Sequence, residues 1–583
     1  MRNMQDEAGW IRVCPLCELR RYGSRVVAAN GRTVLVLESE GTVYAVDNRC
    51  PHMGFPLSRG TVSDGILTCH WHHAKFDLAG GCTFDPFADD VTPFRTRVED
   101  DSVWLDPEPI ETDQRGRWAG KLSEGLEQNI RLVLAKSVIG LCSVDGSADV
   151  VSRTAKFGIR NRSDGWSPGL TILAAMANVL PELSGEDRPL ALYHGVVAVA
   201  SDTTDQAPNF YLDPLQTSER SADRYLDWFR RFVDLRSANA AERVIRTAAY
   251  LGFEPEVLAG IVTAACTDHL YMGGGHTLDF ANKSFELLDH VGWDEAGEIL
   301  PALVPGGNLV NAARMEENAS WRMPADLAGM LFAVHEQLDG LIASRFDANG
   351  RRGRWDGHEE LADLMLDGEP RTVLDELCRL VGEGVALTDL SASVAYAAAR
   401  RLIHFGTSNE FGDWETVLHT FTYANAVDQA LRRAPSNLLA RGIFDGAMSV
   451  HLDRFLNVPK QAIPVPGTGP ASGVDLLAAF DAQGHVDVAG QVVADMIAAG
   501  RADEVVAVLG HALLREDAGF HSFQMYEAAV RQYRQFAGSA CAGHFLIAAA
   551  RYLSAHSPTV RSLGQTYEIA ARLLRGEDLH GGA

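Results

Sequence analysis

Up to about residue 106, short apolar runs are broken by glycines and polar residues; from residue 120 onward apolar positions recur every third or fourth place. In the first stretch Val43-Tyr44-Ala45-Val46 reads as a strand, and Phe76-Asp77 before Gly80-Gly81 as a second strand that turns away. Residues 106–117 (DPEPIETDQRGR) are rich in proline and charge and end the β pattern. Residues 122–138, 225–233, 240–251 and 391–402 carry the spacing of amphipathic helices. The pattern predicts a small all-β domain at the N-terminus followed by a large, mostly α-helical region. The boundaries follow as 1–106 for the β domain, 107–119 for a linker and 120–458 for the main helical domain. A Pro/Gly-rich connection at 459–472 and a C-terminal helical part at 473–583 complete the chain.

The helical region repeats itself. HTLDFAN at 276–282 matches HTFTYAN at 419–425, and each run continues into an apolar helix. His269 and His404 precede the two copies, and a weaker third copy aligns Ala177-Asn178 with Ile172 in place of the histidine. The expectation is a bundle or solenoid built by internal duplication.

A chain of 583 residues with net charge −25 is too long for one core and lacks a basic footprint. A nucleic-acid or anionic-membrane partner is therefore not expected. The nine cysteines are scattered, Cys14-x2-Cys17 reads as a coincidence, and no apolar run reaches the ~18 residues of a membrane span. A reducing cytoplasm is the expected location.

Chemistry concentrates in Cys50-Pro51-His52-Met53-Gly54 and Cys69-His70-Trp71-His72-His73. These reduce to Cys-x-His, 16 intervening residues and Cys-x2-His. Two thiolates and two imidazoles fit a zinc knuckle or an asymmetric [2Fe–2S] cluster. With its two loops, Gly54, Gly60, Gly65 and the following Phe76-Asp77, the stretch resembles the Rieske family. The resemblance implies a [2Fe–2S] cluster on Cys50, His52, Cys69 and His72. Phe55 and Trp71 stand where respiratory members have a disulfide, so the resemblance is to the ferredoxin or oxygenase type. His70 and His73 stand where the family usually has Pro and Gly.

A mononuclear iron triad of the ring-hydroxylating kind needs two histidines five positions apart, which none of the 15 histidines after residue 190 provides. A di-iron carboxylate site needs Glu-x2-His twice; it occurs once after the linker, at Glu577/His580. An acid four positions before a histidine recurs at Glu286/His290, Glu415/His419 and Asp517/His521. The first reads as a surface ion pair, whereas Asp517/His521 interrupts an apolar helix. If the duplicated helices face each other, His269, His276, His404 and His419 converge, with His194 or His521 near, as a possible second metal site. The catalytic candidates are His276, His419, His521 and Asp517. Histidines opening apolar helices, as in His419-Thr420-Phe421, and the run 515–523 make the region similar to questin-oxidase-type enzymes. That resemblance implies an oxygen-using class and assigns no residue a role.

The combined reading is an iron–sulfur oxidoreductase, an oxygenase whose cluster feeds a histidine site holding non-heme iron. It implies a separate flavin reductase or ferredoxin as electron donor, a small-molecule substrate, and a homo-oligomer as one possible assembly. The alternatives are an electron-transfer or redox-sensing protein whose helices bind a partner, and a metal-free enzyme in which the cluster is structural.

Overall fold

Paired residues at positive φ set the N-terminal sheet. The computed structural model describes residues 9–110, 113–305, 308–313, 325–344, 355–456, 458–467, 469, 471–577 and 579, so His580 of the Glu577/His580 pair lies outside them. The strands are β1 (Ile11–Pro15), β2 (Ser24–Ala29), β3 (Arg32–Ser39), β4 (Thr42–Asp47), β5 (Thr61–Ser63), β6 (Ile66–Thr68), β7 (Lys75–Asp77), β8 (Pro93–Glu99) and β9 (Ser102–Pro109). Asn30-Gly31, Glu40-Gly41, Asp64-Gly65 and Asp100-Asp101 are two-residue turns with both φ positive, the form that matches the twist of antiparallel strands. The result is a six-stranded sheet, β1-β9-β8-β4-β3-β2, and a three-stranded sheet, β5-β6-β7. Val34, Val36 and Val103 are fully buried in the core of the larger sheet, while Leu67, Phe76 and Leu78 pack beneath the two cysteine loops.

The chain divides into two compact units, residues 1–150 with 565–583, and residues 151–564. In the first unit β9 runs past the expected end at Asp106, and helix α1 (Gln114–Gln128) begins inside the stretch read as a linker. Pro107 and Pro109 lie beyond the β1 ladder, which stops at Leu105, so they break no pairing there. Asp113 caps α1 by accepting from the Gly116 N–H at 2.9 Å. The helical pattern of 122–138 is broken: Asn129, at φ 48°, ends α1, and α2 (Arg131–Ser143) starts afresh. The end of the last helix, from Gln565, also belongs to this unit, and Arg49 donates to the Gly576 carbonyl. The segment 473–583 is therefore shared between the two units.

The second unit is helical, and four of its helices form a closed ring. These are α3 (Pro168–Val179), α4 (His276–Val291), α5 (Phe411–Arg433) and α6 (Phe520–Gln535); each packs against the next, and α6 returns to α3. Pro168 at the first position and the Ser167 side chain on the Leu170 N–H start α3, which is buried on nearly every side. A capping box of Glu410 and Asp413 starts α5. Gly275, at φ 93°, precedes α4; a Cβ there would lie 3.2 Å from the His419 carbonyl oxygen, so glycine lets α4 begin against α5. The duplicated heptamers lie on α4 and α5 and face one another within the ring. Among the described residues no helix is long and apolar enough to cross a membrane.

Candidate functional site

The two cysteine loops are copies of one backbone device. Cys50 N–H donates to Phe55 O at 2.8 Å and Gly54 N–H to Cys50 O at 2.7 Å; Cys69 N–H donates to Ala74 O at 2.8 Å and His73 N–H to Cys69 O at 3.0 Å. Both fourth residues need positive φ, which Gly54 adopts at 81° and His73 at 64°. The backbone N–H groups of His52 and Met53 address the Cys50 sulfur, and those of Trp71 and His72 the Cys69 sulfur. A histidine held where the family has glycine is strained. His73→Gly should raise stability by about 1 kcal/mol in thermal unfolding, provided the loop hydrogen bond is kept.

The donor set fits the cluster. Cys50 and Cys69 are buried and their sulfurs adjoin, so the shared contact raises one thiol and holds Cys69 down at about 6. The rings of His52 and His72 stand edge to face with centroids 4.8 Å apart. Burial, with His72 and Lys136 nearby, pushes His52 down to about 4, and its Nδ1 is buried without a hydrogen-bond partner. A neutral, unpartnered imidazole nitrogen beside two thiols has the lone pair a metal needs. Where respiratory members carry a disulfide, the Phe55 and Trp71 rings meet at 5.9 Å. His70 is exposed and lies 3.3 Å from the Thr61 hydroxyl.

Sequence reading missed Lys136. From α2 its buried ammonium donates to the carbonyls of Pro51 at 2.5 Å and His52 at 3.2 Å, and pairs with buried Asp89 at 2.9 Å. A fixed positive charge behind the first loop favours the reduced cluster. Lys136→Met should lower the reduction potential by on the order of 50 mV in an EPR-monitored redox titration. Leaving Asp89 buried and unpaired should also destabilise the chain by about 3–5 kcal/mol.

In the second unit the ring of helices brings His276, His419 and His521 together. One ligating atom from each lies within 4.8 Å of the others. Ring centroids are 4.4 Å apart for His276–His419, 4.8 Å for His419–His521 and 5.5 Å for His276–His521. The Nε2 atoms of His419 and His521 approach to 2.9 Å, while Nδ1 of His276 is buried without a partner. Burial lowers all three, His276 and His521 to about 4, and His419, with both others beside it, to about 3. They are neutral at pH 7 and offer lone pairs. One shared proton satisfies the His419–His521 contact; a metal ion satisfies all three rings. Phe280 stacks on His276 at 5.1 Å, and Phe520 lies 3.9 Å from His521. Glu415, one turn before His419, has its carboxylate 3.6 Å from His521 Nδ1, just beyond hydrogen-bond reach.

The other expected residues lie elsewhere. His194 bonds to the Leu514 carbonyl at 3.0 Å, His269 stands 3.6 Å from Asp234, and His404 bonds to the Gln461 carbonyl at 2.7 Å. Asp517 and His521 do not share a helix. The preceding helix ends at Leu514, α6 begins at Phe520, and Asp517 accepts from the N–H groups of Ser562 and Leu563 to cap the last helix. Nor is Glu286 a surface partner of His290: Glu286 is 2% exposed, and His290 bonds to Asn178 at 2.9 Å. His521-Ser522, with Glu527 six residues later, is a fourth relative of the His-Thr…Asn repeat, and this signal was available in the sequence. His556 was also missed; it packs on Phe411 at 4.3 Å and acts electrostatically on His521.

The sequence profile of the Rieske [2Fe-2S] domain family matches residues 9–95. Apoptosis-inducing factor 3 of Homo sapiens is 32% identical over 94 residues, 16% of this chain and 16% of that protein. The ferredoxin component of the alkene monooxygenase system of Xanthobacter autotrophicus is 30% identical over 107 residues, 18% of this chain and 88% of that protein. The solved ferredoxin of carbazole 1,9a-dioxygenase from Nocardioides aromaticivorans IC177 aligns at 24% identity over 17% of this chain and 98% of its own, with a TM-score of 0.16. The chain thus spans 16% of the length of the first of these relatives.

Proposed function

Since the chain belongs to the Rieske [2Fe–2S] family through residues 9–95, we propose that it is an oxygen-using oxidoreductase whose second metal is held by three histidines. The observation that carries this reading is the meeting of His276, His419 and His521, from three different helices, within 4.8 Å. Bound between Cys50, Cys69, His52 and His72, the cluster supplies single electrons. His276, His419 and His521 would hold iron, which imidazole suits, and Glu415, 3.6 Å from His521 Nδ1, would orient that ring on closer approach. Phe280 and Phe520 would wall the site and limit water around the metal. A separate flavin reductase or ferredoxin would feed the cluster, and a small molecule would be oxidised. The alternative of a pure electron carrier draws on the relative covered over 88% of its length, which is named a ferredoxin component.

The test supplies electrons to the anaerobically purified chain from a surrogate flavin reductase and follows dioxygen uptake across a panel of aromatic compounds. Uptake stimulated by a compound and absent in His276→Ala supports the oxygenase. Equal uptake in both proteins supports the carrier.

A further inference from the structure

About two to three helical turns beyond the three histidines lies a buried charged layer that the proposed chemistry leaves unused. Lys283 Nζ donates to Glu286 at 2.8 Å and to Glu527 at 2.6 Å, and Arg531 reaches Glu286 at 3.1 Å and Glu527 at 3.2 Å. Asn178 donates to both carboxylates, at 2.8 and 3.0 Å. Lys283, Glu286 and Glu527 are each at most 2% exposed, and beside them a cavity of about 340 Å³ opens at Asn178, Glu527 and Arg531. Two cations therefore balance two carboxylates. Asp279 is a fifth ionisable group that, among the described residues, has no ion pair of its own. It is 1% exposed and accepts from the Gln524 amide. Asp279 follows His276 by one turn of α4, and Gln524 follows His521 by one turn of α6, so the pair underlies the histidine site.

We propose that Asp279 is the charge-compensating acid of the three-histidine site, holding a proton when the site carries no metal and releasing it when a dication binds. The proposal rests on the metal-binding reading above. Among the described residues the charged groups acting on Asp279 are Lys283, Glu286 and Glu527. Burial raises its carboxyl to about 7, with Lys283 opposing the rise. Burial alone would raise Glu286, but Lys283 and Arg531 outweigh it and hold that carboxylate down at about 2. Burial would likewise lower Lys283, yet the two glutamates keep it above its ordinary value. Lys283 and Glu286 therefore stay charged while Asp279 titrates. The three histidines are already neutral at pH 6, so they release no proton when they ligate. In the metal-loaded site Asp279 is then a carboxylate one turn from His276, able to take a proton back when charge at the site changes.

The experiment is isothermal titration of Zn²⁺ into the full-length, cluster-loaded chain after chelator treatment, with cluster absorbance monitored to confirm that it stays loaded. Repeating it in buffers of unlike ionisation enthalpy reads the protons released. At pH 6 the wild type should release about one proton per metal, falling toward none at pH 8.5. Asp279→Asn, which keeps the side chain's shape, should bind Zn²⁺ more weakly and release almost none; Asp279→Glu should restore release. Unchanged release in Asp279→Asn overturns this proposal and leaves the metal site standing. Zn²⁺ uptake equal in wild type and His419→Ala overturns the metal site, and the proposal with it. Thermal unfolding of Asp279→Asn within a few degrees of wild type shows that lost release is not lost fold.

Discussion

His419→Ala should abolish turnover and remove about one iron per chain while leaving the Rieske EPR signal intact. His419 stands between the other two rings, with centroids 4.4 Å from His276 and 4.8 Å from His521, so its loss breaks both contacts at once. The change lies in the unit formed by residues 151–564, whereas the four residues proposed to hold the cluster lie in the other. Iron analysis with EPR on the same sample reads both. A variant that keeps its iron and its rate would dismiss the three-histidine site.

Cys69→Ser should have the reciprocal effect. The hydroxyl is a poor ligand for iron, and Cys69 is a buried residue whose loop geometry presents one specific sulfur. The variant should lose visible colour and about two irons, retain about one at the histidines, and take up no dioxygen from the surrogate reductase. Uptake at the wild-type rate in a colourless variant would mean that electrons bypass the cluster.

How far the sequence could be read depended on whether a feature was local. The proposed ligands Cys50, His52, Cys69 and His72 sit in two tight loops, each closed by its own backbone hydrogen bonds, so their spacing singled them out and the family resemblance suggested their role. His276 and His419 were legible because duplication copied the same heptamer onto two helices that pack together. His521 was placed with the wrong partner. Helical spacing joined it to Asp517, but the helix starts only at Phe520, and its neighbours are His419 and Glu415 from α5. Spacing tells which residues share a face, and not whether four helices enclose that face. The same limit hid the buried Lys283–Glu286–Glu527 layer behind an apparent surface pair. Lys136 was invisible for a related reason: its role is set by carbonyls more than eighty residues earlier, and no periodic pattern encodes that contact.

The most direct measurement is the metal content of the full-length chain purified without air, by elemental analysis beside EPR of the dithionite-reduced sample. About three irons per chain with a Rieske signal are expected, falling to about two in His276→Ala. Two irons in both proteins, or zinc at the four N-terminal ligands, would contradict it.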